Sequence, residues 1–315
     1  LSAATNFISP KDVSGNPEAL CLKHISALGN KSFKQARKNH IADYRKYFSR
    51  FSIDLGISGK ENLATDKRIT GVASSMDNSL AALYVQFGRY LMLSSSRQGT
   101  YPANLQGVWN DKLNPSWDSK YTVNINTEMN YWPVGVLNIA ECHEALFRMI
   151  GEVIPSGAKV AKDHYGARGW VLHHNTDLWR GAAPINASNH GIWVTGSGWL
   201  VHHFWEHFLS SRYKVFLSQT AWPVLKSAAR FYVDFLVADP GTGWLVSSPS
   251  NSPENGGLVA GPTMDHEIIK SLFKACIEAA VILETNQAFA ARMVEPTSKL
   301  DSLRVLADLG ITGLT

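Results

Sequence analysis

The chain has 315 residues, with 45% hydrophobic and 18% charged side chains, 30 Lys and Arg against 26 Asp and Glu. This is the balance of one large or two ordinary globular domains; it excludes a disordered chain, and a net charge of +4 is too small to argue for nucleic acid as a partner. The charge is uneven, since residues 1–72 hold 12 basic and 6 acidic side chains, which fits a solvated basic helix face over Lys31 to Arg50.

In chain order, the first ten residues, LSAATNFISP, read as the end of a strand, the last piece of a β domain whose other strands are missing. Residues 11–75 read as a helical linker region. Asn16-Pro17-Glu18 is a capping residue followed by Pro in the first turn, and it opens a short helix to about Leu28, which Gly29-Asn30 ends. A second helix is predicted from Ser32 to Phe51, followed by a Gly-containing polar linker from Ser52 to Ser75. From Asn78 to Ser95 the apolar residues Leu80, Leu83, Tyr84, Phe87, Tyr90, Leu91 and Leu93 predict a buried helix. A long Gly, Pro and Asn loop, 96–121, comes next. Further helices are predicted at about 125–150, 156–165, 196–213, 217–237, 265–285 and 286–293. No run of alternating strands follows residue 75, so residues 76–315 read as helical hairpins whose long loops carry the function.

No stretch approaches the ~18 apolar residues of a membrane span. Cys21, Cys142 and Cys276 form no CxxC pair and read as buried free thiols. With no initiator Met and no signal peptide the chain reads as a mature or cut form. Its compartment stays unknown, with a periplasmic or extracellular place favoured over a cytoplasmic one.

All ten Trp residues fall between Trp109 and Trp244. Eight sit at loops or helix starts, where an indole can stack on the C–H face of a pyranose, and their company of Asn, His, Asp and Glu favours a carbohydrate site over core filler. Three clusters are candidates for chemistry. In Tyr121-Thr-Val-Asn124-Ile-Asn126-Thr-Glu128-Met-Asn130-Tyr131-Trp132-Pro133, Asn124 and Asn126 are two apart in an extended approach to a helix. That spacing lets both amides face one side and hold a water; the plainer alternative is that they cap the helix. In Ser248-Pro249-Ser-Asn251-Ser252-Pro253-Glu254-Asn255-Gly256-Gly257, a carboxylate stands in a rigid loop suited to acid chemistry, against the alternative of a solvated loop Glu. In His173-His174-Asn175-Thr176-Asp177-Leu178-Trp179-Arg180, the polar groups suit the reading of sugar hydroxyls. A competing constellation is the HxxEH of His203-Phe-Trp-Glu206-His207, which has zinc-hydrolase spacing; a structural, empty arrangement is the expected outcome there.

The phrases SSSRQGTYPANLQGVWN, YTVNINTEMNYWP, ECHEALF, GARGWVLHHNTDLWR, SPSNSPENG and GPTMD together resemble glycoside hydrolase family 95, the α-L-fucosidases with related α-L-galactosidases, from about Ala3 to about Ala291. The resemblance implies a mainly α fold, an (α/α)6 barrel between β domains, and inverting hydrolysis of terminal α-L-fucosides, typically 1,2-linked, with no cofactor and no metal. It implies Glu254 as general acid and Asn124 and Asn126 as the pair that positions the attacking water. Thr122, His174, Asp177, Trp179 and Trp193 are expected to contact the sugar of a fucosylated or L-galactosylated oligosaccharide. Thr122 stands where the fucosidases carry a His beside C6, which implies tolerance of α-L-galactosides. The family's general base lies in an Asp-Gly-Asn-Phe-Gly type segment that these residues do not contain. About seven helices after residue 75 fall short of twelve, and the sequence after Met293 departs from the pattern. The expectation is therefore an incomplete, truncated barrel that is weakly active or a non-catalytic sugar-binding remnant, whose open apolar faces favour self-association.

Overall fold

The computed structural model describes residues 1–300, so the final part of the expected barrel, 301–315, lies outside the described residues. The chain forms two compact units, one of Leu1–Ala103 with Pro133–Ala145, the other of Asn104–Trp132 with the chain from Leu146 onward. The architecture is mainly helical, with strands of only two residues each among the described residues.

In the first unit, α1 (Pro17–Leu28) starts where the Asn16 side chain accepts from Ala19 N at 2.9 Å, and α2 (Phe33–Phe48) where the Ser32 hydroxyl accepts from Gln35 N. The segment read as a linker folds a short helix of its own, α3 (Thr65–Gly71). The reason is electrostatic: Arg68 forks onto Asp77 at 2.8 and 3.0 Å, and Asp77 also accepts from Ser58 and from Leu80 N. The guanidinium holds the Asp77 carboxyl far below the usual carboxylate range, and the same carboxylate caps α4 (Asn78–Ser95). Arg89 of α4 is fully buried and donates to the carbonyls of Tyr47, Phe48, Phe51 and Leu137, satisfying the open C-terminal end of α2. The expected strand at residues 1–10 is absent; that segment makes only a single bridge, Ser9 to Asp12, across a turn at Pro10.

The helix expected over 125–150 is broken. It becomes α5 (Asn126–Tyr131), α6 (Pro133–Val136) and a 3-10 turn at Ala140–Cys142, because Pro133 opens a new helix and Asn138 takes a left-handed φ of 55°. Conversely, α7 (His143–Tyr165) runs straight through Pro155, where a boundary was predicted. Leu146, Met149, Ile150, Val153 and Ala161 on its inner face have no exposed surface, and that burial outweighs the ~3 kcal/mol of an internal proline.

The second unit is built of α8 (Gly196–Leu200), α9 (His202–Ser211), α10 (Lys214–Phe216), α11 (Trp222–Phe235), α12 (Thr263–Ile282) and α13 (Gln287–Ser298), with α11, α12 and α13 packed in succession and α8 laid against α11 and α12. A π-helical turn at Leu217–Ala221 links α10 to α11. Gly198 lets α8 approach α11 so closely that the Tyr232 hydroxyl meets Ser197 Oγ, Gly198 N and the Val194 carbonyl, all at 2.9–3.1 Å. Two small antiparallel pairs complete the unit, β1 (Tyr121–Thr122) with β2 (Asn175–Thr176) and β3 (Val237–Ala238) with β4 (Leu245–Val246).

Candidate active site

All of the site lies in the second unit. Strand β1 pairs Tyr121 with Thr176 and Thr122 with Asn175, and the ladder continues as Val123 N donates to His174 O at 2.9 Å. The Thr127 hydroxyl donates back to the Thr122 carbonyl at 2.9 Å, which turns the chain from β1 into α5. Thr122 is therefore nearly buried, and Asn124 stands at the turn with its Oδ1 buried and without a protein partner. Asn126 is exposed and already the first residue of α5, so strand alternation does not extend to it. Neither amide caps α5, whose N-cap, Ile125, makes no side-chain bond.

His174 is 5% exposed, its Nδ1 lies 3.1 Å from Asn175 Oδ1 and its ring meets His190 edge-on at 5.2 Å. The carbonyl oxygen places the proton on Nδ1 and leaves a lone pair on Nε2, which has no protein partner. Burial lowers the His174 pKa; Asn175 and, more weakly, the charge of Glu254 oppose that shift, which puts Glu254 within electrostatic reach of this ring. The loop carrying Glu254 is pinned at its base: Ser250 and Val259 exchange both backbone hydrogen bonds, Gly261 N donates to Ser247 O, and the Ser248–Pro249 bond is cis. Glu254 is exposed at its tip, just before Gly256 with φ 85°. Asn251, fully buried, donates to the Asn189 carbonyl at 2.9 Å and keeps an unpartnered Oδ1, while Asn189 Oδ1 faces His190 Nδ1. A chain of contacts therefore runs from the acid loop through Asn189, His190 and His174 to the turn holding Asn124.

The other expected contacts fall differently. Asp177 is exposed and accepts from Trp179 N at 2.8 Å and Gly181 N, so its carboxylate shapes the turn that presents Trp179, itself 55% exposed. Trp193 has no exposed surface and packs edge-on against Trp199, 6.3 Å between centroids, so it offers no face for direct contact with a ligand. In the HxxEH segment His203 is buried while Glu206 is exposed, and among the described residues no three His, Cys, Asp or Glu side chains converge as metal ligands, so the zinc reading has no support.

Several groups of the site carried no role in the sequence reading. Asp265, the acid of GPTMD, is fully buried and accepts from Thr195 at 2.9 Å and from Ser247 and Ser250 at 2.6 Å each; burial still pushes its pKa up to about 6. Glu128 is buried, and that burial raises its pKa well above the usual carboxylate range, against a weaker opposing backbone hydrogen bond. His266 on α12 is buried with Nε2 open. Both acids lie within quoted motifs, but nothing in their spacing distinguishes a buried acid from a surface one.

The chain is 35% identical to "Alpha-L-fucosidase 2" of Arabidopsis thaliana over 98% of its length and 39% of that protein, and 32% identical to "Probable alpha-fucosidase A" of Aspergillus niger over 82% of its length and 34% of that protein. It thus spans less than two-fifths of each relative. A solved structure named "Putative kojibiose phosphorylase from human microbiome" superposes with a TM-score of 0.65 over 92% of this chain and 39% of the other at 12% identity, a likeness of fold alone. The profile of the glycosyl hydrolase family 95 catalytic domain matches residues 32–312, beginning inside the region read as a linker and running past Ala291, where the resemblance was expected to fade. This chain belongs to glycosyl hydrolase family 95, as part of its catalytic domain.

Proposed function

We propose that the protein hydrolyses terminal α-L-fucosides, 1,2-linked ones foremost, with inversion at the anomeric carbon. What supports this reading is the run of contacts from Asn251 of the acid loop through Asn189 and His190 to His174, whose carbonyl accepts from Val123 N beside Asn124. In this mechanism Glu254 protonates the leaving oxygen as the bond to the anomeric carbon breaks. The Asn124 and Asn126 amides hold a water on the opposite face, and a carboxylate base ~6.5–9.5 Å from the acid removes its proton. The open lone pair of His174 Nε2 accepts a sugar hydroxyl, Trp179 offers a stacking face, Asp177 holds that turn, and Trp193 backs the surface.

These 315 residues contain no Asp-Gly-Asn-Phe-Gly segment to supply the base, so turnover by this chain alone is expected to be slow. Without hydrolysis the same surface would act as a sugar-binding module. Thr122, small and hydroxyl-bearing beside Asn124, is the residue proposed to admit the C6 hydroxyl of an L-galactoside.

The test is the rate of fucose release from an α-L-fucosyl-(1→2) disaccharide, with a matched α-L-galactosyl substrate reporting on Thr122. Glu254→Gln is expected to lower the rate by about 10²–10⁴-fold. An equal rate in the variant would remove Glu254 from the mechanism.

A further inference from the structure

The buried carboxylate on α12 takes no part in the chemistry above, yet two separate stretches of chain end on it. Ser247 and Ser250, both on the N-terminal root of the acid loop, donate to Asp265 Oδ2 at 2.6 Å. Thr195 donates to Oδ1 at 2.9 Å. Thr195 itself sits on a parallel bridge to Leu172, two residues before His174. Gly196, next along, lies so close to this strand region that a Cβ there would stand 2.7 Å from Leu172 O, 2.9 Å from His173 O and 3.0 Å from Val123 Cγ2.

The groups that lower its pKa against burial are three hydroxyls and the Trp193 side chain, and Asp265 has no exposed surface. A buried carboxylate held in this way is a poor choice for packing, where an apolar side chain would do better. It is a good choice for fixing geometry, because one rigid planar group orients three hydroxyls at once.

We propose that Asp265 is a positioning residue that locks the acid loop to the strand region bearing His174 and thereby sets where Glu254 stands over the leaving oxygen. The inference rests on the role of Glu254 proposed above. It assigns Asp265 no contact with substrate.

The experiment uses Asp265→Ala, Asp265→Asn and the milder Ser250→Ala with two readouts. The first is amide hydrogen exchange at Ser250 and Val259, whose reciprocal bonds close the loop. The second is hydrolysis of two α-L-fucosides, one with a sugar leaving group that needs protonation and one with a dinitrophenolate that leaves without it. Asp265→Ala is expected to speed exchange at both amides by about tenfold or more. It should lower turnover of the disaccharide by about a hundredfold and of the dinitrophenyl fucoside by less than about tenfold, because only the former depends on a placed acid. Asp265→Asn, whose amide still meets hydroxyls of either polarity, should recover most of both. Unchanged exchange, or an equal loss on the two substrates, overturns the proposal. If Asp265→Ala does not fold, Ser250→Ala carries the same comparison. Hydrolysis of neither substrate by the unsubstituted protein would sink the proposed activity and with it the link to Glu254, while exchange at the two amides would still decide whether Asp265 holds the loop.

Discussion

At His173 the hydrogen bonds fix the proton. Nδ1 lies 2.7 Å from the Ala182 carbonyl and must donate, so Nε2 accepts from the Tyr165 hydroxyl at 2.6 Å. Burial pushes His173 down to about 4 and Tyr165 up to about 12, which keeps both neutral. Tyr165→Phe removes a donor to a buried nitrogen and is expected to cost about 1–3 kcal/mol in denaturant unfolding; no loss would mean the bond contributes nothing. Adjacent residues of the His173-His174 pair point to opposite sides, one into the core and one toward His190, and the sequence alone did not say which. The same limit applies to Asp177 and Trp193. Residue type marked them as sugar contacts, but the turn bonds of the first and the burial of the second depend on neighbours far along the chain. Glu254, Asn124 and His174 stand in distinctive motifs, which is why residue type alone singles them out as candidates; the contacts that link their segments, through Asn251, Asn189 and His190, have no local signal.

Elements were read best where the chain caps itself. Asn16, Ser32 and Asp77 each accept from a backbone N–H three residues on; α1 begins where the Asn16 cap predicts, and α2 and α4 begin close to the starts expected from their apolar pattern. The reading failed where a long-range contact decides. Helix α3 depends on the fork from Arg68 to Asp77, which no local pattern reveals. Pro155 is a strong stop signal on its own, but it is overruled in α7 by an inner face that is wholly buried. The reverse happened at Pro133 and Asn138, where an apolar run long enough for one helix is cut into pieces. The two-residue strands β1 and β2 are too short to show alternation, yet they carry the site, because they pair the approach to Asn124 with the approach to Asp177.

For the whole molecule, acid should be the sensitive direction. His173, His202 and His203 titrate near pH 6.5 when unfolded and are pushed down to about 4, about 4 and about 3 when folded, mainly by burial. Their contribution is therefore complete above pH 6.5 and lost as pH falls toward 4. Asp265 runs the other way: raised from 3.8 to about 6, it contributes stability below pH 4 that is lost as pH rises through 6. His174 and His266 are lowered by burial as well, and Glu128 is raised like Asp265; five histidines outweigh two carboxyl groups, so unfolding free energy should fall on acidification from pH 6.5 to 4. In Asp265→Asn the fall should be steeper by about one proton, ~1.4 kcal/mol per pH unit. Melts or denaturant curves across that range that stay flat, or that rise toward acid, would contradict this account of the buried groups.

The claim on which the functional account turns is inversion driven by Glu254. The direct measurement is the anomer first released from an α-L-fucosyl-(1→2) disaccharide, followed by proton NMR before mutarotation scrambles it. The account predicts β-L-fucose first, at a rate that Glu254→Gln lowers by about 10²–10⁴-fold. Release of the α anomer first, release indifferent to Glu254, or no release above the buffer blank would contradict it.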